Sequence, residues 1–359
     1  MKTVKGLLLL AAMGLAAEAQ AARIEATDHR LNYEGRVVRD WVNQDVQFNW
    51  PATRLSFLFQ GRELAIAMDG QQSQFDLLID GRLHGVIKTG LGMHTYPLLS
   101  LPTSNTLHVE LVKRTESYDT MLTLDALITD GVVSGLWPHK PHLLFIGDSI
   151  SAGMGSESNK RDCTWEENVN SSNARLAFPA QTAALLGATH TQVSYSGLGL
   201  LRNWDGNQPH HALPHYLDKA GAVYQGGTDF ESQHPALVVI ELGTNDFSSE
   251  LQPHEPWPDQ EAFQQAWVDG YVTLLREVRQ RYDNPPIIVM GQYLWPHDRL
   301  NLAIERLQQQ LTLLGEPPVL VERMQAENSG CLWHPTAAEH EGIARSLAGL
   351  IRQQGLLPE

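Results

Sequence analysis

A doubly wound, parallel α/β sheet preceded by an antiparallel β-sandwich is the architecture this sequence predicts, on three observations. Leu143-Leu144-Phe145-Ile146 is an unbroken apolar run, as expected of a strand buried on both faces, and it leads directly into Gly147-Asp148-Ser149. After it, strand-like and helix-like stretches alternate to the end of the chain, which is the pattern of a parallel sheet with crossover helices. Before it, short and partly alternating runs are separated by close turn signals, which points to an all-β unit.

The chain has 359 residues, enough for two domains of ordinary size, and a formal net charge of −15 with no basic run. That balance excludes nucleic acid and anionic membrane surfaces as partners and suits neutral or cationic ligands. At the N-terminus, Lys2 and Lys5 precede the apolar stretch Gly6 to Ala17, and Ala19-Gln20-Ala21 follows as a small-residue cleavage site. This order is that of an export signal at residues 1–21, too short to span a bilayer, with the mature protein beginning near Ala22 in the periplasm or outside the cell. The two cysteines of an exported chain, Cys163 and Cys331, are expected to form a disulfide, worth about 3–5 kcal/mol in the chain-entropy account of so long a loop.

Residues 22–135 read as the sandwich, or jelly roll. Leu55 to Phe59, Glu63 to Ala67, Phe75 to Ile79, Thr106 to Val112 and Met121 to Leu124 are strand candidates. Gln60-Gly61, Asp69-Gly70, Asp80-Gly81, Thr89-Gly90 and Pro102 to Asn105 are the predicted turns between them. This unit shows no catalytic constellation, and sugar binding and walling of an active site stay open as its roles. A stiff link containing Trp137, Pro138, His139 and Pro141 leads into residues 136–359.

In that second unit the predicted strands are Leu143–Ile146, Gln192–Tyr195, Ala236–Ile240, Pro286–Met290 and Val319–Val321. The predicted helices are Ala174 to Leu186, interrupted near Pro179, then Asp259 to Tyr282, Ala303 to Leu314 and Thr336 to Gln354. Ser149 falls at the carboxyl edge of the sheet, where ligands of open α/β sheets bind. Gly147 is read as the residue that lets the strand turn sharply there. The helix that follows presents free N–H groups and a positive dipole end, which suit a developing oxyanion. Three further stretches fall at strand ends: Ser194 to Gly199, Leu242 to Phe247, and Gly330 to Pro335.

Ser149, Gly197, Asn245 and His334, in this order and placement, resemble the signature set of the SGNH (GDSL-like) hydrolases, whose hydrolase domain is a flavodoxin-like doubly wound sheet. Ser149 needs a base to attack an ester carbonyl, and a histidine has a suitable pKa. The resemblance gives that role to His334 and assigns the oxyanion donors to the backbone N–H groups of Ser149 and Gly197 and the side-chain amide of Asn245. It calls for no metal or other cofactor, and His210-His211 and His334/His340 lack accompanying ligands at zinc-like spacing. The family pattern places an aspartate three residues before the histidine, where this chain has Cys331. A backbone carbonyl on the imidazole, giving a Ser149–His334 dyad, is the reading adopted for that gap; an acid from elsewhere in the chain is the other.

An N-terminal sandwich followed by such a domain resembles the family 2 carbohydrate esterases. The matching stretches are Lys113-Arg114-Thr115-Glu116, Gly197 to Gly199 through Arg202 to Gly206, Gly243 to Phe247, and Gly330-Cys331 through His334-Pro335. The resemblance implies an enzyme that deacetylates plant polysaccharides, chiefly acetylated xylan and glucomannan, with a leaning toward 6-O-acetyl groups of hexoses; the exported chain is expected to act as a monomer. Another ester (lipid, aryl or peptidoglycan O-acetyl) and a catalytically inactive carbohydrate-binding protein are the alternatives. Trp204 and Trp333 are the candidate sugar platforms, though Trp333 is expected to pack beneath the histidine. Asp148 is a candidate substrate contact or an internal brace of its turn, and Asp246 a brace of the Asn245 loop.

Overall fold

The computed structural model of the protein describes residues 21–137 and 139–357; the predicted export signal, apart from Ala21, lies outside the described residues. The N-terminal unit is antiparallel and all-β. Its strands are β1 (Ala22–Glu25), β2 (Asn32–Glu34), β3 (Val38–Asp40), β4 (Asp45–Phe48), β5 (Arg54–Asp69), β6 (Gln74–Ile79), β7 (Arg82–Lys88), β8 (His94–Lys113), β9 (Leu122–Thr129) and β10 (Val132–Ser134). They follow the order β3-β4-β9-β5-β8-β6-β7, with β1 on β9 and with β2 and β10 on β5. One apolar core, built around Phe57, Phe59, Phe75, Val109 and Leu127, lies inside.

Two predicted turns are in fact bends within long strands. β5 runs through Gln60-Gly61, with a register shift against β8 between Gly61 and Glu63. A Cβ on Gly61 would lie 2.8 Å from the Gly131 Cα, so the bend is packed backbone to backbone. Pro102 to Asn105 likewise lies inside β8. Bulges draw on the same turn-forming residues as hairpins, so the sequence signal is shared. By contrast, Asp80-Gly81 is a two-residue hairpin turn between β6 and β7, with both residues at positive φ.

The C-terminal unit alternates as expected. Its elements are β11 (His142–Gly147), α1 (Ser149–Ala152), α2 (Trp165–Ser171), α3 (Phe178–Leu186), β12 (Thr189–Ser194), β13 (Leu237–Glu241), α4 (Thr244–Phe247), α5 (Gln260–Arg281), β14 (Ile287–Gly291), α6 (Arg299–Leu314), β15 (Leu320–Arg323) and α7 (Ala337–Gln353). The five strands are parallel, in the order β12-β11-β13-β14-β15. Trp267 and Tyr271 of α5 and Leu307 of α6 pack on one face of the sheet, and Phe178 of α3 and Leu347 of α7 on the other. Strand order reverses between β11 and β13, and an open sheet forms its crevice at such a switch point. Ser149 follows β11 and Asn245 follows β13, so the topology brings both to that crevice.

A buried charge network joins the two units. Asp76 of β6 is fully buried and pairs with Arg114 (2.8 Å) and with Arg175; Asn173 donates to it at 3.1 Å. Arg114 also pairs with Glu157, and its carbonyl accepts the Ala174 N–H at 2.9 Å. Each carboxylate oxygen of Asp76 thus meets a charged or polar donor, which is what burial of a charge requires. Removing one partner leaves the other charge stranded. Arg114→Ala is expected to destabilise the protein by about 3–5 kcal/mol, read as a lowered denaturation midpoint in urea. A midpoint equal to that of the unmodified protein would show that the network is not what holds the units together.

Candidate active site

Ser149 is the first residue of α1 and is 6% exposed. Asp148 caps the helix, its Oδ1 accepting the Ile150 N–H at 3.0 Å. Gly147 is not at positive φ. It is required there by proximity, since a Cβ would lie 2.1 Å from the Ser151 Oγ. The tight strand-to-helix junction leaves the Ser149 N–H with no acceptor among the described residues.

His334 lies 185 residues further on, and its Nε2 is 2.7 Å from the Ser149 Oγ. Its Nδ1 faces two main-chain carbonyls, those of Leu332 at 3.0 Å and Cys331 at 3.2 Å. No carboxylate pairs with His334 among the described residues. Leu332 and Trp333 hold left-handed backbone conformations, at φ 52° and 63°, which cost about 1–3 kcal/mol each for residues of this type. Three contacts fix this strained turn: the Leu332 N–H donates to the Arg161 carbonyl, the Gly330 N–H to the His334 carbonyl, and Cys331 is bonded to Cys163. Cys331 also packs against the loop after Ser149, where a Cβ on Gly155 would lie 2.6 Å from its own Cβ. Burial holds the His334 pKa below the ordinary histidine value, and the two carbonyls pull it partly back.

Gly197 follows β12 at φ 80°, with open space over its Cα and no acceptor for its N–H among the described residues. Asn245 is buried in α4, and its amide Nδ2 donates to the Leu198 carbonyl at 2.9 Å and to Asp148 Oδ2 at 3.1 Å. In this state the Asn245 amide is engaged within the protein, tying the three strand ends together. Asp148 is fully buried and all its contacts are internal, so it does not reach the cleft. Burial and the neighbouring Glu241 push its carboxyl up, and burial raises Glu241 as well. Glu241 accepts from the Ser151 hydroxyl at 2.9 Å, under the nucleophile turn. Asp246 accepts the N–H groups of Leu200, Leu201 and Arg202 at 2.8–3.0 Å and so braces the loop after Gly197.

A cleft of about 670 Å3 opens between the two units, beside Gly197. Tyr118, Trp165, Tyr195, Trp204 and Tyr224 give it aromatic walls; Ser149 and His334 are not part of those walls. Trp204 is 54% exposed there, and its backbone N–H donates to the Gly197 carbonyl at 2.9 Å. Trp333 is 65% exposed with the Arg161 guanidinium 3.9 Å over its ring, so it does not pack in the core as expected. The left-handed turn that aims the carbonyls at His334 sends the indole outward. Two cleft features escaped sequence reasoning. Trp165 carries no motif, and Glu116 lies in the Lys113 to Glu116 stretch, which signals its importance without its partner. Among the described residues no group of three or more His, Cys, Asp or Glu side chains is placed to hold a metal ion, and no helix is long and apolar enough to cross a membrane.

Residues 33–132 match the family model described as carbohydrate esterase 2 N-terminal, and residues 145–331 that of the GDSL-like lipase/acylhydrolase family. The acetylxylan esterase / glucomannan deacetylase of Cellvibrio japonicus (strain Ueda107) is 31% identical over 338 residues, which cover 90% of this chain and 91% of the relative. Two solved structures share the whole architecture. A family two carbohydrate esterase from Clostridium thermocellum, in complex with cellohexaose, aligns at TM-score 0.79 and 25% identity over 91% of this chain and 100% of its own. Another, from Cellvibrio japonicus, aligns at TM-score 0.78 and 25% identity over 93% and 98%. With both units matched and the serine and imidazole in contact at the switch point, the chain belongs to the family 2 carbohydrate esterases and is a serine carboxylic ester hydrolase acting on carbohydrate esters.

Proposed function

We propose that this esterase, once exported, removes O-acetyl groups from plant polysaccharides, acetylated xylan or glucomannan, through an acetyl-enzyme on Ser149 with His334 as the only side-chain base. The observation that carries the reading is the 2.7 Å contact between His334 Nε2 and Ser149 Oγ, with Nδ1 held by carbonyls. The Cys331 and Leu332 carbonyls accept the Nδ1 proton and leave Nε2 as the acceptor for the hydroxyl proton. As Oγ attacks the acetyl carbonyl, the proton passes to Nε2, and negative charge develops on the carbonyl oxygen.

That oxygen is met by the free N–H groups of Ser149 and Gly197, with the α1 N-terminus behind them. Asn245 joins them by turning one amide N–H away from Asp148. As the intermediate collapses and its bond to the sugar oxygen breaks, the imidazolium gives its proton to that oxygen, which leaves as the sugar hydroxyl. A water repeats the sequence in reverse and frees acetate. Carbonyls stabilise the imidazolium less than a carboxylate would, so the cradle carries a larger share of the catalysis. The acetylxylan esterase / glucomannan deacetylase relative supports the substrate class, as does the cellohexaose bound in the Clostridium thermocellum structure. The exposed aromatic rings of the cleft suit the apolar faces of pyranose rings, with Trp204 as the platform tied to Gly197.

Four measurements test this. Ser149→Ala and His334→Ala are each expected to remove at least about 1,000-fold of kcat on 4-nitrophenyl acetate, while replacement of a single exposed Asp or Glu away from the strand-end loops leaves most of it. Acetate release should be faster from acetylated xylan or glucomannan than from O-acetylated peptidoglycan; the opposite order would reassign the substrate. The acid limb of kcat/KM should have its midpoint below 6.5, because a base whose pKa is lowered stays neutral to lower pH and activity fades only as pH falls through that value. A midpoint above 6.5 would mean that a carboxylate supports the imidazole. Finally, Trp204→Ala should raise KM on polysaccharide about tenfold and leave kcat on 4-nitrophenyl acetate within about twofold, as expected of a stacking surface.

A further inference from the structure

The β-sandwich supplies a residue to the oxyanion loop. Glu116 follows β8 and reaches across the domain boundary, where its two carboxylate oxygens accept both the N–H and the hydroxyl of Ser196. Ser196 immediately precedes Gly197. Its hydroxyl also lies 3.5 Å from the Met154 sulfur, and the Met154 N–H donates to the Ser149 carbonyl at 3.0 Å. Glu116 therefore grips the point where the nucleophile turn and the Gly197 loop meet.

Its own loop, between β8 and β9, is firmly held. The Lys113 ammonium is fully buried and donates to the Thr115 carbonyl, Arg114 lies in the Asp76 network, and the Thr115 hydroxyl accepts the Gln74 N–H at 3.1 Å. The loop is fixed again at its far side, where Asp246 takes the N–H groups of Leu200, Leu201 and Arg202. Only Gly197, Leu198 and Gly199 lie between the two carboxylate grips. Leu198 gives its carbonyl to Asn245, while the Gly197 N–H has no acceptor.

We infer that Glu116 is a positioning residue for catalysis, which sets the Ser196–Gly197 peptide so that the Gly197 N–H points at the oxygen of the tetrahedral intermediate. This rests on the proposed role of that N–H. Glu116 grips Ser196 and makes no contact with His334, so it is not the missing third member of a triad. Its effect belongs to the transition state: a donor displaced by a fraction of an ångström loses the developing charge while ground-state binding in the cleft is unchanged.

The test is steady-state kinetics on 4-nitrophenyl acetate and on acetylated xylan, with thermal melts, for Glu116→Ala, Glu116→Gln, Ser196→Ala and Ser149→Ala. Glu116→Ala is expected to lower kcat about 10- to 100-fold on both substrates with KM within about threefold. Glu116→Gln, whose amide can still accept the Ser196 N–H, should recover kcat to within about threefold of the unmodified enzyme. A purely structural role would not give this split and rescue at an unchanged melting temperature. If Glu116→Ala does not fold, Ser196→Ala decides: a loss of about threefold or more in kcat supports the inference, and full kcat overturns it. Full kcat in a folded Glu116→Ala, or a Glu116→Gln as weak as Glu116→Ala, also overturns it. Ser149→Ala separates the two levels. If that variant is inactive while Glu116→Ala is normal, the Glu116 inference alone falls; if Ser149→Ala is fully active, the underlying mechanism falls too.

Discussion

The backbone clamp on the imidazole is the constraint on which the site depends. A histidine whose Nδ1 meets carbonyls at 3.0 and 3.2 Å has its tautomer and its ring plane set by main-chain geometry alone. Main chain offers that geometry only if the turn is forced, and two successive left-handed residues are the visible sign of the forcing. Such strain persists only where the surroundings over-determine the conformation. Here the disulfide to Cys163, the Arg161 carbonyl and the Gly330–His334 hydrogen bond do so, and all act within five residues of the imidazole. The cysteine that stands in the family's aspartate position thus fills it in another way: its sulfur anchors the loop and its carbonyl faces the ring.

The same crevice concentrates buried carboxyl groups. Asp148, Glu241 and Asp246 are each 2% exposed or less, and burial pushes all three pKa values upward. Each is surrounded by N–H or O–H donors of the strand-end loops: Ile150 and Asn245 for Asp148, Ser151 for Glu241, and three successive backbone N–H groups for Asp246. Loops at a sheet edge have no ladder to satisfy their N–H groups, and water would leave them mobile. Carboxylate acceptors inside the fold fix them in its place. The N–H groups of Ser149 and Gly197 are left out of this satisfaction.

The parts of this arrangement legible in the sequence were those set by local pattern. The run Leu143 to Ile146 marked a strand buried on both faces, and the α/β alternation followed from periodicity over long segments. The absence of an acid at Cys331 pointed to a carbonyl, because no neighbouring residue offered a carboxylate. What stayed hidden was set by contacts between distant residues or by backbone detail. Gln60-Gly61 is a bend inside β5 because Gly131 packs against it, seventy positions away. Trp333 faces solvent because of its left-handed φ, which no residue type announces. Glu116 lies in a stretch that matches the family, but its role stays hidden because its partner Ser196 lies 80 positions on, in the other unit.

That last contact bears on why the two units stay together. A sandwich serving only as a sugar-binding module would not require a fully buried Asp76 paired with Arg114 and Arg175 against the hydrolase unit; a flexible linker would do. Burying charges at a domain boundary fixes relative position more than it adds stability, because the desolvation of the ions offsets much of their attraction. The β8–β9 loop held by that network carries Glu116 to Ser196, and Glu116 and Trp204 both line the cleft beside Gly197. On the roles proposed for Trp204 and Glu116, a sugar platform and a carboxylate that sets an oxyanion donor must keep a constant separation for the acetyl carbonyl to meet the cradle. Rigid docking of the sandwich supplies that constancy, which a single α/β sheet with mobile edge loops lacks.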